Sequence, residues 1–491
     1  MKEERQLLHQ LKMLRPDDPY PFHMPGHKRR QLPFANPYDI DITEIDGFDN
    51  LHRPEGILQE LEQRYADLYG CDVCKLSVGG STDMLLTTIA AATKPGDRVL
   101  IARNCHKAVY HGAILRQLDC RYLYPEISEE GICGPIDPDV LASVLEEEKK
   151  QGRSPKAMVI TSPTYEGVCS DVKKIASICH SHEVTLIVDA AHGSHLGLRK
   201  DQKRMEDDFP ENPIQQGADA VVVSLHKTLP SFTQTAALLM KKDSRIAKWR
   251  IQKYFDYYET SSPSYILMAG MDACCRFLEE EGDETLPLYV KRLQNIRSGA
   301  KGLYKVRFWE REDWTVDPGK LVITAEGMSG SELMDYFRQR NHLELEMCSL
   351  GHALAMTSVM DTDEGLNRLL EGMKCLDREL SDREKRTGRQ VCEENQEKQE
   401  NRKIYLYDVR PEQKLPISCA ESKETQWVPL EEATGRVAGG LWSIYPPGIP
   451  LLVPGEYVSE EIVTKLKEAK KQGLTLDGCS ENGEFPVIIE E

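Results

Sequence analysis

Short apolar runs bounded by polar or turn-forming residues recur through the first half of the chain, at 98–102, 121–124, 157–161, 185–189 and 220–223. Runs of this length rich in Val, Ile, Leu and Ala predict strands buried on both faces. Helix formers lie between them, such as Met84, Leu85, Leu86, Ile89, Ala90 and Ala91. At 56–69 the residues Ile57, Leu58, Leu61, Tyr65 and Leu68 return at helical spacing, and Gly70 supplies the stop. Strands alternating with helices predict an α/β fold whose mostly parallel sheet is covered on both sides. The alternation closes near 237–240, and a long helical stretch follows at 266–304. Beyond it, candidate strands at 321–324 and 343–346 read as a smaller α+β unit. The expected organisation is an N-terminal arm at 1–55, a large domain at 56–305 and a small C-terminal domain at 306–491.

Two segments stand outside this pattern. Pro16, Pro19, Pro21 and Pro25 forbid a regular helix in the arm. They predict an extended segment that docks on another surface, such as that of a second subunit. The run at 379–403 is almost wholly polar and reads as a solvated helix or a loose connection without a function.

Composition narrows the classes. A chain of 491 residues exceeds one simple core. No apolar run reaches the roughly 18 residues of a membrane span, and the charged start Met1-Lys2-Glu3-Glu4-Arg5 lacks a signal peptide's apolar core, so a cytoplasmic location is expected. A net charge of −18 argues against a nucleic-acid partner. The 14 cysteines are scattered, which suits a reducing compartment. Cys71 and Cys74 form a lone CxxC, read as core thiols, and no metal site is expected.

Chemistry concentrates where the apolar runs end. Ser224-Leu225-His226-Lys227 follows 220–223, and a lysine at the edge of a core has its charged form disfavoured by desolvation. Such an amine is a nucleophile toward carbonyls. Asp189 ends another run. A strand-end carboxylate upstream of a Ser-x-His-Lys is the pairing pyridoxal phosphate enzymes use, the lysine for the aldehyde and the carboxylate for the pyridine nitrogen. Alone, Lys227 would read as a surface lysine and Asp189 as a helix cap. Gly79-Gly80-Ser81-Thr82 precedes a helix, so its N–H groups and hydroxyls are offered either to an anion or to a simple cap. His106 follows the 98–102 strand, where an imidazole can stack on a flat cofactor. His192 stands three residues past Asp189, within reach of the cofactor's phenolic oxygen or a substrate carboxylate. Ser162–Gly167 reads as another loop of the site. On an extended strand Ser224 and His226 would share a face, the first toward phosphate and the second beside substrate.

Five motifs in order now carry a resemblance: Pro25-Gly26-His27-Lys28, Asn104-Cys105-His106-Lys107, Asp189-Ala190-Ala191-His192-Gly193, Ser224-Leu225-His226-Lys227 and Tyr445-Pro446-Pro447-Gly448-Ile449-Pro450. Over nearly its whole length the chain resembles the bacterial ornithine/lysine/arginine decarboxylases, in the short form without an N-terminal wing domain. The resemblance implies the aspartate aminotransferase-like fold, PLP fold type I, with pyridoxal 5′-phosphate on Lys227, Asp189 at the ring nitrogen and His106 stacked on the ring. Gly80, Ser81, Thr82 and Ser224 would take the phosphate. Ser261 and Ser262, in the segment 260–264, would reach a phosphate across a homodimer interface. The implied reaction is decarboxylation of arginine, lysine or ornithine, with His226 or Lys227 returning a proton to Cα. Glu456, after the Pro-Pro-Gly segment, is the candidate for the substrate's distal cation. Ala190 departs from the Glu many members carry there, and Thr228-Leu229-Pro230 replaces a more Gly-rich stretch, which loosens any inference to one substrate. The alternatives are an aminotransferase or lyase of the same fold and a non-catalytic cofactor-binding homologue.

Overall fold

The computed structural model describes residues 7–15, 17–200, 203–204, 209–387 and 405–489. Seven strands form the central sheet in the order Val73–Ser77, Ala236–Met240, Ala220–Val223, Thr185–Asp189, Ala157–Thr161, Arg98–Ala102, Asp119–Leu123. Only Ala236–Met240 runs against the rest. Each expected strand is therefore present. The unexpected one is Val73–Ser77, whose apolar signal is broken by Lys75. The Lys75 amine is nonetheless buried, donating to the Leu51 carbonyl at 2.6 Å and lying 3.2 Å from Glu62. A parallel sheet gathers the C-terminal ends of its strands along one edge. That edge carries Gly80, His106, Tyr165, Asp189 and Lys227.

The helix Ile57–Tyr69 ends as expected at Gly70, left-handed at φ 59°. The helix Tyr265–Ala300 carries Pro287 inside it and leads to a four-stranded antiparallel sheet ordered Val306–Phe308, Lys320–Ala325, Ala353–Met356, Met347–Cys348. This sheet shares its core with the large domain. Residues 405–489 instead close around a separate core in which the Trp442 and Phe485 rings lie 4.5 Å apart. The stretch 306–491, read from the sequence as one small domain, thus contributes to more than one core. Of the polar run at 379–403, residues 388–403 lie outside the described residues, and the rest continues the helix Asp363–Thr387.

Between the short helices Leu7–Met13 and Pro37–Ile40 the described residues of the arm form no helix, and the arm docks on its own chain. Tyr20–Phe22 pairs in parallel with Leu343–Leu345, and the Tyr20 hydroxyl donates to Asp361 at 2.9 Å. The Gly26 N–H donates to the His226 carbonyl at 2.7 Å, and a Cβ on Gly26 would lie 2.5 Å from the Leu229 carbonyl oxygen. Only glycine allows the arm this close to the backbone that carries Lys227.

Candidate active site

The strand Ala220–Val223 delivers Ser224 and then turns into a single helical turn, Leu225–Thr228. The expectation of an extended Ser224–His226 face is therefore corrected, because the backbone coils right after Ser224. Ser224 still reaches the glycine loop, its Oγ donating to Ser81 Oγ at 2.8 Å. The helix Gly80–Ala92 starts from Gly79 with no side-chain cap. Its first N–H groups and the two serine hydroxyls lie together there, a donor cradle of the kind an anion fits. Gly80 sits at φ 82°, a conformation that leaves the loop open beside the strand edge.

Lys227 Nζ lies 3.0 Å from His192 Nε2. Burial lowers the lysine pKa, opposed by the charges of Asp189 and Glu346. Asp189 is buried at the end of its strand and accepts the Ala191 N–H at 3.1 Å. Burial raises its pKa while Lys227 holds it down. His192 packs on Tyr165, ring centres 4.1 Å apart, which brings the Ser162–Gly167 loop into the site. His106 uses Nδ1 to cap the helix Lys107–Leu115, accepting the Ala108 N–H at 3.2 Å. Gly448 of the Pro-Pro-Gly segment lies against its ring, and the Lys107 N–H donates to the Gly448 carbonyl at 3.0 Å. Burial and the charge of Lys227 push His106 down to about 3, so a neutral ring faces the site at pH 7. His226 Nδ1 lies 3.0 Å from the Thr235 carbonyl, which places the proton on Nδ1.

Three expected residues, Glu456, Ser261 and Ser262, fall elsewhere. Glu456 is fully buried, its Oε2 accepting from Arg103 Nη2 and from the Val453 N–H, each at 2.9 Å. It forms a buried ion pair with Arg103, which also donates to Leu451 O at 2.9 Å and to Pro450 O, so the pair fastens the segment that covers His106. Ser261 and Ser262 lie exposed just beyond Glu259, and no hydrogen bond among the described residues joins them to Ser81, Ser224 or Lys227. Thr82 is exposed at the mouth of the cradle.

Glu346 was missed. It lies at the end of the anticipated 343–346 strand, accepts from the Tyr165 hydroxyl and from the Met24 N–H at 2.8 Å, and acts on the charge of Lys227. A carboxylate just past the strand that pairs with the arm was the available signal, but nothing local showed which way it faced.

A family model for the Orn/Lys/Arg decarboxylase major domain matches residues 7–311, and a second, for the C-terminal domain, matches 402–480. The chain belongs to this family. It is 29% identical over 478 residues to an arginine decarboxylase of Bacillus subtilis, covering 94% of this chain and 92% of that one. It is 24% identical to the lysine decarboxylase LdcA of Pseudomonas aeruginosa, covering 90% and 72%. The fold matches the constitutive lysine decarboxylase of E. coli with a TM-score of 0.75 at 18% identity, covering 94% of this chain and 80% of that one. It matches a ureidoglycine-glyoxylate aminotransferase of Bacillus subtilis more loosely, at 0.51 and 17% identity over 65% of this chain and 84% of the other. The fold is the PLP type I fold.

Proposed function

We propose that this decarboxylase acts on a basic amino acid, arginine, lysine or ornithine, with pyridoxal 5′-phosphate held between Lys227, Asp189 and the Gly80–Ser81–Ser224 cradle. The observation that carries the reading is the meeting of three groups at one sheet edge: the Lys227 amine on His192, the buried Asp189 carboxylate, and an uncapped helix N-terminus. These residues suit the cofactor's amine-reactive aldehyde, its ring nitrogen and its phosphate respectively. When bound, the cofactor supplies an electron sink for the bond being broken. Asp189 would keep a proton on the ring nitrogen, and His106, neutral and backed by Gly448, would cover the ring and exclude water. Because His226 is pushed down to about 4 by burial and carries its proton on Nδ1, its Nε2 is unprotonated at neutral pH. Lys227 is then the group that returns a proton to Cα. Glu346, an acid that reaches this cleft from just past the strand paired with the arm, replaces Glu456 as the partner for the distal cation.

The reading includes a cytoplasmic homodimer. Buried free thiols such as Cys71, Cys74 and Cys105 suit a reducing compartment, and the exposed 260–262 segment suits a subunit contact. Among the described residues, no helix is long and apolar enough to cross a membrane. Purified protein given the cofactor and each basic amino acid in turn should release CO2 and the matching amine in equal amounts from at least one. Formation of a keto acid would instead favour the aminotransferase alternative, and no turnover of any of the three would refute the proposal.

A further inference from the structure

Lys320 is the first residue of the strand Lys320–Ala325 and is 2% exposed. Its Nζ is buried and has no hydrogen-bond partner among the described residues. An unpaired buried ammonium is strongly unfavourable, so a native chain keeps one where something else supplies the partner. The nearest acid in sequence does not: Asp317 spends Oδ1 on the Gly319 N–H at 2.8 Å and on His195 at 3.1 Å, and its Oδ2 is also without a partner.

The lysine stem lies against the loop that lines the site. A Cβ on Gly167 would come within 2.7 Å of Lys320 Cγ, and the same loop carries Tyr165, which packs on His192. The ammonium is near enough to His192 and Lys227 for each to feel its charge, together with Glu346 and Lys28. Burial lowers its pKa to about 8, with Asp317 and Glu346 opposing, so it remains mostly cationic at neutral pH.

We propose that Lys320 receives the α-carboxylate of the substrate. The cofactor phosphate is accounted for by the Ser81–Ser224 cradle, and the distal cation of a basic amino acid would be repelled. The α-amino group must come to the position of the Lys227 amine, which brings the α-carboxylate into the same few ångströms. An unpaired cation there finds its anion only when the amino acid binds, and loses it again when CO2 departs. This assignment deepens the proposed decarboxylation and rests on it.

The amine product has every feature of the substrate except the carboxylate, and it separates the two roles the lysine could have. With holoenzyme, Lys320→Met should raise KM for the amino acid at least about tenfold. The inhibition constant of the corresponding amine, and the thermal shift that amine gives without turnover, should stay within twofold. Lys320→Arg should recover most of the lost substrate affinity. Equal weakening of amino acid and amine, or an unchanged KM, would overturn the assignment even while native turnover upholds the decarboxylase reading. Failure of the native chain to turn over any basic amino acid would instead remove that reading, and this one with it.

Discussion

Lys227 and Glu456 are both charged residues that follow apolar segments, and the structure gives them opposite uses. Among the described residues Lys227 has one hydrogen-bond partner, His192, and a carboxylate on the next strand, so its amine is left available for an aldehyde. Borohydride treatment of the cofactor-loaded native protein should leave a covalent pyridoxyl adduct on Lys227, read by mass spectrometry. Lys227→Ala should show none, and an adduct surviving in that variant would place the cofactor on a different lysine. Glu456 has lost all exposure to satisfy Arg103. Removing one member of a buried pair leaves the other charge uncompensated, at about 3–5 kcal/mol. Glu456→Ala should therefore lower the melting temperature sharply. Glu456→Gln, which keeps the volume, should retain a KM close to native where it folds. A large rise in KM with an unchanged melting temperature would return Glu456 to the substrate.

At the scale of elements, the glycine loop is tied to the 259–262 segment by a pair of acids. Ser77 Oγ lies 3.0 Å from Asp83 and 2.7 Å from Glu259, which also accepts the Val78 N–H at 3.0 Å. One hydroxyl proton cannot serve both carboxylates, and their proximity favours a proton on Asp83. Burial and Glu259 raise Asp83 from 3.8 to about 7, with Tyr258 and His52 the other titratable groups nearby. A carboxyl whose pKa is raised by folding binds its proton more tightly in the native state than in the unfolded chain. Stability is therefore lost as pH rises from 3.8 to about 7, and the whole penalty is present above that. Asp83→Asn should raise the melting temperature above pH 7, with the gain fading to nothing below pH 4. A gain independent of pH would show that the carboxyl is not the cause.

On the scale of the whole molecule, the arm completes its own subunit. It adds a strand beside Leu343–Leu345, and Lys28 Nζ donates to the carbonyls of His23 at 2.8 Å and Met356 at 2.7 Å. Order in the arm thus needs no second subunit, and the case for a shared site rests on the exposed Ser261 and Ser262. If they contact the neighbour's phosphate, Lys227→Ala mixed with a Ser261→Ala/Ser262→Ala double variant should regain part of the native activity after subunit exchange. One site in each hybrid then has both halves. Verified exchange without recovery would confine the site to one chain.

The sequence by itself determined the sheet, because a strand buried on both faces needs a run of apolar residues and such a run is visible without its neighbours. It also made Lys227, Asp189, His106, Ser81 and Ser224 legible as candidates, since each stands where such a run ends and a parallel sheet brings those ends to one edge. Val73–Ser77 was hidden because Lys75 finds its partners in Leu51 and Glu62, outside the strand. Only the tertiary structure decided the rest. Arg103 and Glu456 meet across 353 positions, and Tyr165 and Glu346 across 181. Whether an acid or an amine is spent on an internal partner or left for a ligand depends on what faces it. That is a property of packing between distant segments, and no local pattern of residue types encodes it.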